Sequence, residues 1–285
     1  MARKTRRKTI PQRPMKAYKN AGFLGGKDAR PIRILSEFLE PLSRFKYYGV
    51  RDIIVFFGSA RIKRPVEAKA ALRAVQRKMS RHARAGRSLK EELKSAEVAV
   101  AMARYYSEAV ELAKLLTAWS MKLRQKNRFV VCTGGGPGIM EAANKGAILA
   151  GGRSIGLNIA LPAEQFPNPF ISPELNFEFH YFFMRKYWFM YLGKALVAFP
   201  GGFGTLDELM ELLTLRQTGK IKKKMTVILY GKEFWEQTVN FAELRRLGMI
   251  SRSDLKLFQF ADSPAEAFKL LREGLSLNYP DEAPF

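Results

Sequence analysis

The hydrophobic pattern along the chain alternates between two kinds of segment. Short continuous apolar runs, bounded by glycine, proline or charge, are separated by longer amphipathic stretches. The runs at 52–57, 128–133, 154–159, 177–181, 195–199, 225–230 and 257–260 read as strands, most of them apolar enough to be buried on both faces. The stretches between read as helices: 32–42, ended by Pro41; a basic helix over 65–85; then helices over 139–150, through 184–188, from Thr205 onward, over 234–247 and over 264–275. Ser88-x-x-Glu91 reads as a capping box opening a further, long helix. In that helix Val98, Met102, Tyr105, Ala109, Leu112, Leu116, Trp119 and Leu123 alternate spacings of four and three. Such a stripe is either a coiled-coil seam or the core face of a helix covering a sheet. Strands alternating with helices predict an α/β fold, a doubly wound, mainly parallel, Rossmann-like sheet with helices on both faces. The expected organisation is a basic, flexible arm over 1–30, then one domain over 31–285 with a basic helical insertion at about 62–97.

Three strand ends carry candidate chemistry. The run at 195–199 passes through Pro200-Gly201-Gly202-Phe203-Gly204-Thr205 into a helix bearing Leu209, Leu212, Leu213 and Leu215. A strand, a glycine turn and a helix N-terminus make an anion site, because backbone amides face a ligand that can approach closely. The run at 128–133 leads into Gly134-Gly135-Gly136-Pro137-Gly138, and the run at 52–57 ends at Gly58-Ser59. In a parallel sheet all three turns lie along one carboxyl edge, where ligands bind. One such turn is equally a tight connection with no ligand; three together favour a phosphate-bearing ligand. Gly134-x-Gly136-x-Gly138 is not the dinucleotide fingerprint, since its third glycine falls one residue early and no acid follows about 20 residues on. No Gly-x4-Gly-Lys-Ser/Thr loop is present.

Thr205-x-x-Glu208 matches a capping box, in which Glu208 merely reaches back to the Thr205 amide. Alternatively Glu208 faces the ligand. An acid there opposes phosphate affinity but suits positive charge developing nearby, as in an oxocarbenium-like transition state. Glu211 shares its face. Arg185-Lys186 sit at a helix start, electrostatically the wrong end for cations, so they are either solvated or matched to an anion. Tyr181, Phe182, Phe183 and Trp188 read as core or subunit contact, or as a base-stacking platform. His82, His180 and Cys132 make no metal set of recognised spacing, and no metal is expected.

Charge changes the picture at two places. The formal net charge is +23, with eight Lys/Arg and no acid from Met1 to Gly26, and twelve Lys/Arg against three acids from Arg61 to Lys94. Both are either solvated surface or attraction for a polyanion such as nucleic acid. Cys132 lies in an apolar run, which suits a buried thiol in a reducing, cytoplasmic setting. Neither a secretory signal nor a bilayer-spanning stretch is read.

On these residues the chain resembles the LOG ("Lonely Guy") family of nucleoside-monophosphate phosphoribohydrolases, long labelled possible lysine decarboxylases. The signature Pro-Gly-Gly-x-Gly-Thr-x-x-Glu is complete from Pro200 to Glu208. Arg185-Lys186, Gly58-Ser59 and Gly-Gly-Gly-Pro-Gly-Ile-Met-Glu-Ala-Ala-Asn from Gly134 also fit, closest to the longer bacterial members. The resemblance implies hydrolysis of a nucleoside 5′-monophosphate, purine favoured (AMP, for example), to free base and ribose 5-phosphate, with no cofactor. It implies Glu208 and Arg185 as catalytic residues, and Gly58, Ser59, Gly134, Gly135, Gly136, Lys186, Gly201, Gly202, Gly204 and Thr205 as substrate-binding ones. It also implies a homodimer or higher homo-oligomer. Where the plant-type signature has Met-His, this chain has Phe182-Phe183, so a cytokinin substrate does not follow. No motif for pyridoxal phosphate supports the decarboxylase label. Two other readings stand beside this one: a non-catalytic nucleotide or cofactor binder on the same fold, and a nucleic-acid-associated protein acting through its basic arm.

Overall fold

Seven apolar runs pair as one all-parallel sheet in the order β4-β3-β2-β1-β5-β6-β7. The computed structural model describes residues 13–81, 86–161 and 166–281. His82, the end of the helix expected over 65–85, Pro162 and residues 1–12 of the arm lie outside the described residues. The chain enters through α1 (Ala21–Gly25) and α2 (Arg30–Tyr47) and forms β1 (Ile53–Phe57). A helical pair follows, α3 (Pro65–Arg81) and α4 (Arg87–Met102), then α5 (Arg104–Ser120). The chain continues with β2 (Val130–Thr133), α6 (Ile139–Leu149), β3 (Ser154–Ile159), β4 (Asn176–Phe179), α7 (Phe182–Leu192), β5 (Gly193–Ala198) and α8 (Phe203–Gln217). It ends with β6 (Thr226–Tyr230), α9 (Lys232–Thr238), α10 (Phe241–Arg246), β7 (Gln259–Ala261) and α11 (Pro264–Asn278).

Alternation along β1 sorts two cores. Ile53, Val55 and Phe57 face a layer holding Phe45, Trp188, Phe189, Leu209 and Trp235, built from α2, α7, α8 and α9. Ile54 and Phe56 face the other layer, with Tyr105, Leu112, Ile139 and Leu271, built from α5, α6 and α11. Helices therefore cover both faces, as the alternating pattern predicts. Cys132 is fully buried, and burial pushes its thiol up. Among the described residues no helix is long and apolar enough to cross a membrane.

Four expectations are corrected. Pro41 does not end α2, which runs on to Tyr47. Proline removes the N–H that would bond the Glu37 carbonyl, and the Trp188 indole N–H donates there instead at 2.9 Å. The Glu37 carboxylate also accepts from the backbone amides of His180 (2.8 Å) and Tyr181 (3.2 Å), so α2 fixes the start of α7. The stripe from Val98 is not one helix. The chain turns at Ala103, leaving Val98 exposed and burying both Tyr105 and Tyr106, where a single stripe would bury one of them. From Tyr105 to Leu116 the stripe is a core face rather than a coiled-coil seam. Ser88 lies inside α4, whose N-cap is Gly86, and Glu91 pairs with Arg87 at 3.1 Å. The helix expected over 234–247 breaks at Val239, because the Asn240 side chain accepts from Glu243 N and starts α10 afresh. Within the arm, residues 17–25 hold a short 3₁₀ turn and α1, the latter capped by Asn20.

The Pro41–Trp188 arrangement yields a testable coupling. Trp188→Phe leaves the Glu37 carbonyl without its donor and is expected to cost about 1–3 kcal/mol of stability in urea unfolding. In a Pro41→Ala background the restored Ala N–H can serve that carbonyl, so the cost of Trp188→Phe shrinks. Additive costs of the two substitutions would contradict the exchange.

Candidate functional site

The strand order puts β1 at the centre with β2 on one side and β5 on the other, so the chain changes direction across the sheet between β1 and β5. Ligands bind at such switch points, beyond the carboxyl ends of the strands. Here the turns after β1, β2 and β5 enclose a cleft of about 740 Å³, within the range of small-molecule sites. Backbone bonds lock the turns together. Ser59 N donates to Pro200 O (3.0 Å), and Ile139 N to Ser59 O (3.2 Å).

The glycines divide by role. A Cβ at Gly201 would stand 2.1 Å from Thr205 Oγ1, and one at Gly58 would meet Ile139 at 2.7 Å. These two close the packing beneath the cleft. Gly135 adopts φ +75°, and a Cβ there would lie 2.0 Å from Asn158 Oδ1. A Cβ at Gly202 or Gly204 meets nothing within 4 Å, so these open onto the cleft. The first amides of α8 have no intrahelical acceptor. Gly202 as N-cap supplies no side chain, and no acid sits in the first turn. That end of the helix is left as an anion-accepting terminus.

Glu208 lies further along α8 and is not a cap. Helix α8 begins at Phe203, and the amides of Thr205 and Leu206 both bond Gly202 O, so the capping-box reading fails. Its carboxylate is instead 3% exposed and faces Arg185, with Nη2 to Oε1 at 3.4 Å. Glu208 Oε2 and Arg185 Nε are buried without a hydrogen-bond partner. Burial pushes the Glu208 carboxyl up to about 7, against the pull of Arg185 and Lys186, and burial lowers the Arg185 guanidinium. The Arg185 guanidinium also sits over the rings of Phe182 (5.1 Å) and Phe189 (5.8 Å).

The cleft brings together Gly58, Ser59, Gly134, Gly136, Gly201, Gly202, Gly204, Thr205, Arg185 and Glu208. It does not bring in Gly135 or Lys186. Gly135 is held in the turn, its amide donating to Thr133 Oγ1 (3.0 Å) and its carbonyl accepting from Asn168 N (2.8 Å). Lys186 is bound by Asp207 and Glu211, each at 2.8 Å. Sequence reasoning missed Arg61, Asn158, Phe203 and Phe234 on the cleft wall. Asn158, a lone amide in an apolar strand, was the visible signal, and it donates to Asn176 Oδ1 (2.7 Å) and Phe177 O (2.8 Å). Also missed were Asn144 and Asn168, which pin the second glycine turn. Asn168 Nδ2 donates to Gly135 O, Gly136 O and Asn144 Oδ1. His180 and Phe183 lie outside the cleft, whereas half-exposed Phe182 lines it. Tyr181 and Trp188 are core residues. Among the described residues no group of His, Cys, Asp and Glu side chains is placed to hold a metal ion.

A Rossmann-like sheet with a glycine-rimmed cleft at its switch point defines the class. Residues 140–271 match the family described as "Possible lysine decarboxylase". That segment contains Arg185 and the whole Pro200–Glu208 signature, in line with the resemblance to the LOG family. Among solved structures it is similar to a molybdenum cofactor carrier protein from Chlamydomonas reinhardtii, at 19% identity over 79% of this chain and 99% of that one, TM-score 0.46. It is also similar to a molybdenum cofactor binding protein from the phototrophic bacterium Rippkaea orientalis, at 20% identity over 59% and 86%, TM-score 0.44. No curated protein matches the sequence.

Burial of Glu208 sets a pH-dependent stability. Its carboxyl is raised from an ordinary 4.5 to about 7, so across that window the native state holds a proton that the unfolded chain has released. Stability therefore falls as pH rises through the window, by on the order of 3 kcal/mol for this group. Glu208→Gln removes that dependence. The difference in unfolding free energy between variant and wild type should shift in favour of the variant between about pH 5 and pH 8. A difference that stays constant with pH would contradict the buried placement.

Proposed function

We propose that the protein hydrolyses the N-glycosidic bond of a nucleoside 5′-monophosphate, purine favoured, releasing free base and ribose 5-phosphate in the cytoplasm. The observation that carries the reading is Glu208: a buried carboxylate with one oxygen unpartnered, beside Arg185 and beyond the open N-terminus of α8. The amides of Gly202, Phe203 and Gly204, with the Thr205 hydroxyl, take the phosphate. The bond from C1′ to the base nitrogen then breaks with its electron pair leaving on the base, and positive charge gathers on the ribose. Ionised Glu208 stabilises that charge and takes a proton from the water that adds to C1′. The base leaves with a proton from solvent, and Arg185 orients the nucleotide against the cleft wall. Gly58, Ser59, Gly134 and Gly136 shape the remaining wall, while Gly135 and Lys186 act as positioning residues, one through its turn and the other through Asp207 and Glu211. No metal or redox group takes part in any of these steps.

The test is incubation with AMP, GMP, CMP and UMP and detection of free base. Wild type is expected to release base from at least one purine nucleotide. Because the carboxylate is the working form, kcat/KM should fall as pH drops below about 7 and level off above it. Glu208→Gln should lose about 10²–10⁴-fold and that acid limb with it. Bound nucleotide without base release from any of the four would instead make the protein a nucleotide carrier.

We also propose a homodimer through α2 and α7, which expose Leu35, Leu39, Phe183 and Tyr191. Size-exclusion chromatography with light scattering should give twice the chain mass, and Leu35→Glu with Tyr191→Glu should return it to one. A monomeric wild type would contradict this.

A further inference from the structure

Helix α3 carries a charge pattern that neither the fold nor the cleft uses. Its buried side is Ala68 and Val75, with Leu72 and Met79 half-buried alongside. At 100° per residue, Arg73, Arg77 and Arg81 fall on the opposite side and Lys69 on its flank, each four residues from the next. All four are exposed. The positions interleaved with them are Val66, Ala70, Ala74 and Ser80, all small or uncharged. The single acid of the helix, Glu67, lies off this face and pairs with Arg64. Lys78 is also off it and pairs with Glu92 of α4 at 2.8 Å. Arg64 is held by Glu141 at 2.7 Å. None of the four outward cations is in an ion pair among the described residues.

An ordinary solvated helix face mixes signs, because like charges four residues apart repel and opposite ones attract. The helix dipole accounts for Arg81 and Arg77 near the C-terminus, but not for Lys69 in the N-terminal half or Arg73 at mid-helix. The row runs about 18 Å along the helix, matching some five phosphates at about 3.4 Å per strand. The face has no aromatic side chain on which an unpaired base could stack. Small side chains between the cations let a backbone come close. We propose that the outward face of α3 docks the phosphate backbone of double-stranded nucleic acid, without reading its sequence. The surface is separate from the cleft and does not depend on the reaction proposed for it.

The experiment is fluorescence anisotropy of the full chain with a labelled duplex of about 20 base pairs, from about 50 to 200 mM salt. Wild type should bind with a steep negative slope of log affinity against log salt, equally for unrelated sequences. Neutralising the row (Lys69→Gln, Arg73→Gln, Arg77→Gln, Arg81→Gln) should flatten that slope by about 3 to 4, since each phosphate contact contributes about 0.9. Affinity at the low-salt end should fall at least about tenfold. A control that removes four exposed charges elsewhere (Lys122→Gln, Lys126→Gln, Lys220→Gln, Lys269→Gln) should leave the slope nearly unchanged. Should the quadruple row variant fold poorly by circular dichroism, Arg73→Gln and Arg77→Gln singly should each flatten the slope by about 1. Three results would overturn the proposal: no duplex binding by wild type, equal loss in the row variant and the control, or row-dependent binding of polyglutamate but not of duplex. The last would assign the face to an acidic protein partner.

Discussion

Parallel pairing of β1 with β2 on one side and β5 on the other is the constraint on which the rest depends. The registers Val55 with Cys132 and Phe57 with Ala198 bring three strand ends to one level. Parallel strands cannot be joined by tight hairpins, so each must be followed by a crossover. The crossovers here begin as glycine turns, and two of those turns open directly into α6 and α8. Everything in the cleft follows from that geometry, including the open α8 terminus and the approach of α7 with Arg185. The Glu37 side chain and carbonyl, gripping the start and middle of α7, carry the same constraint out to α2.

Within that frame the chain accepts a costly feature. A carboxylate buried against aromatic and aliphatic walls, with one oxygen unpartnered and its guanidinium neighbour at 3.4 Å, works against stability. A cap, which would have stabilised the helix, is absent at the same place, since Gly202 supplies no side chain. Local rules broken together at one spot are the pattern of a working site rather than of a packing solution. The basic helix is the opposite case, where Ala68 and Val75 alone are buried and the charge pattern lies wholly on the surface.

Most of the fold was legible because buried parallel strands write themselves as unbroken apolar runs. All seven appear within a few residues of their observed bounds. What escaped were features decided by tertiary partners. Pro41 reads as a stop until Trp188 arrives from 147 residues away to serve the freed carbonyl. Thr205-x-x-Glu208 reads as a cap until the helix is seen to begin two residues earlier. In the site, the motif glycines marked the turns that rim the cleft but not their division of labour. Gly58, Gly135 and Gly201 are glycine because Ile139, Asn158 and Thr205 occupy the space a side chain would need. Asn158 and Asn168 come from a different strand and loop, and no spacing rule connects either of them to Gly135.

In the proposed reaction, phosphate on the α8 terminus places the sugar of a nucleotide against Glu208. The most direct measurement is a crystal structure of the Glu208→Gln variant soaked with AMP. Phosphate oxygens are expected within hydrogen-bonding distance, about 3 Å, of the Gly202 to Gly204 amides, with C1′ within about 4 Å of the residue 208 side chain, a near-attack separation. A nucleotide bound with its phosphate elsewhere, or with its sugar turned away from residue 208, would contradict it.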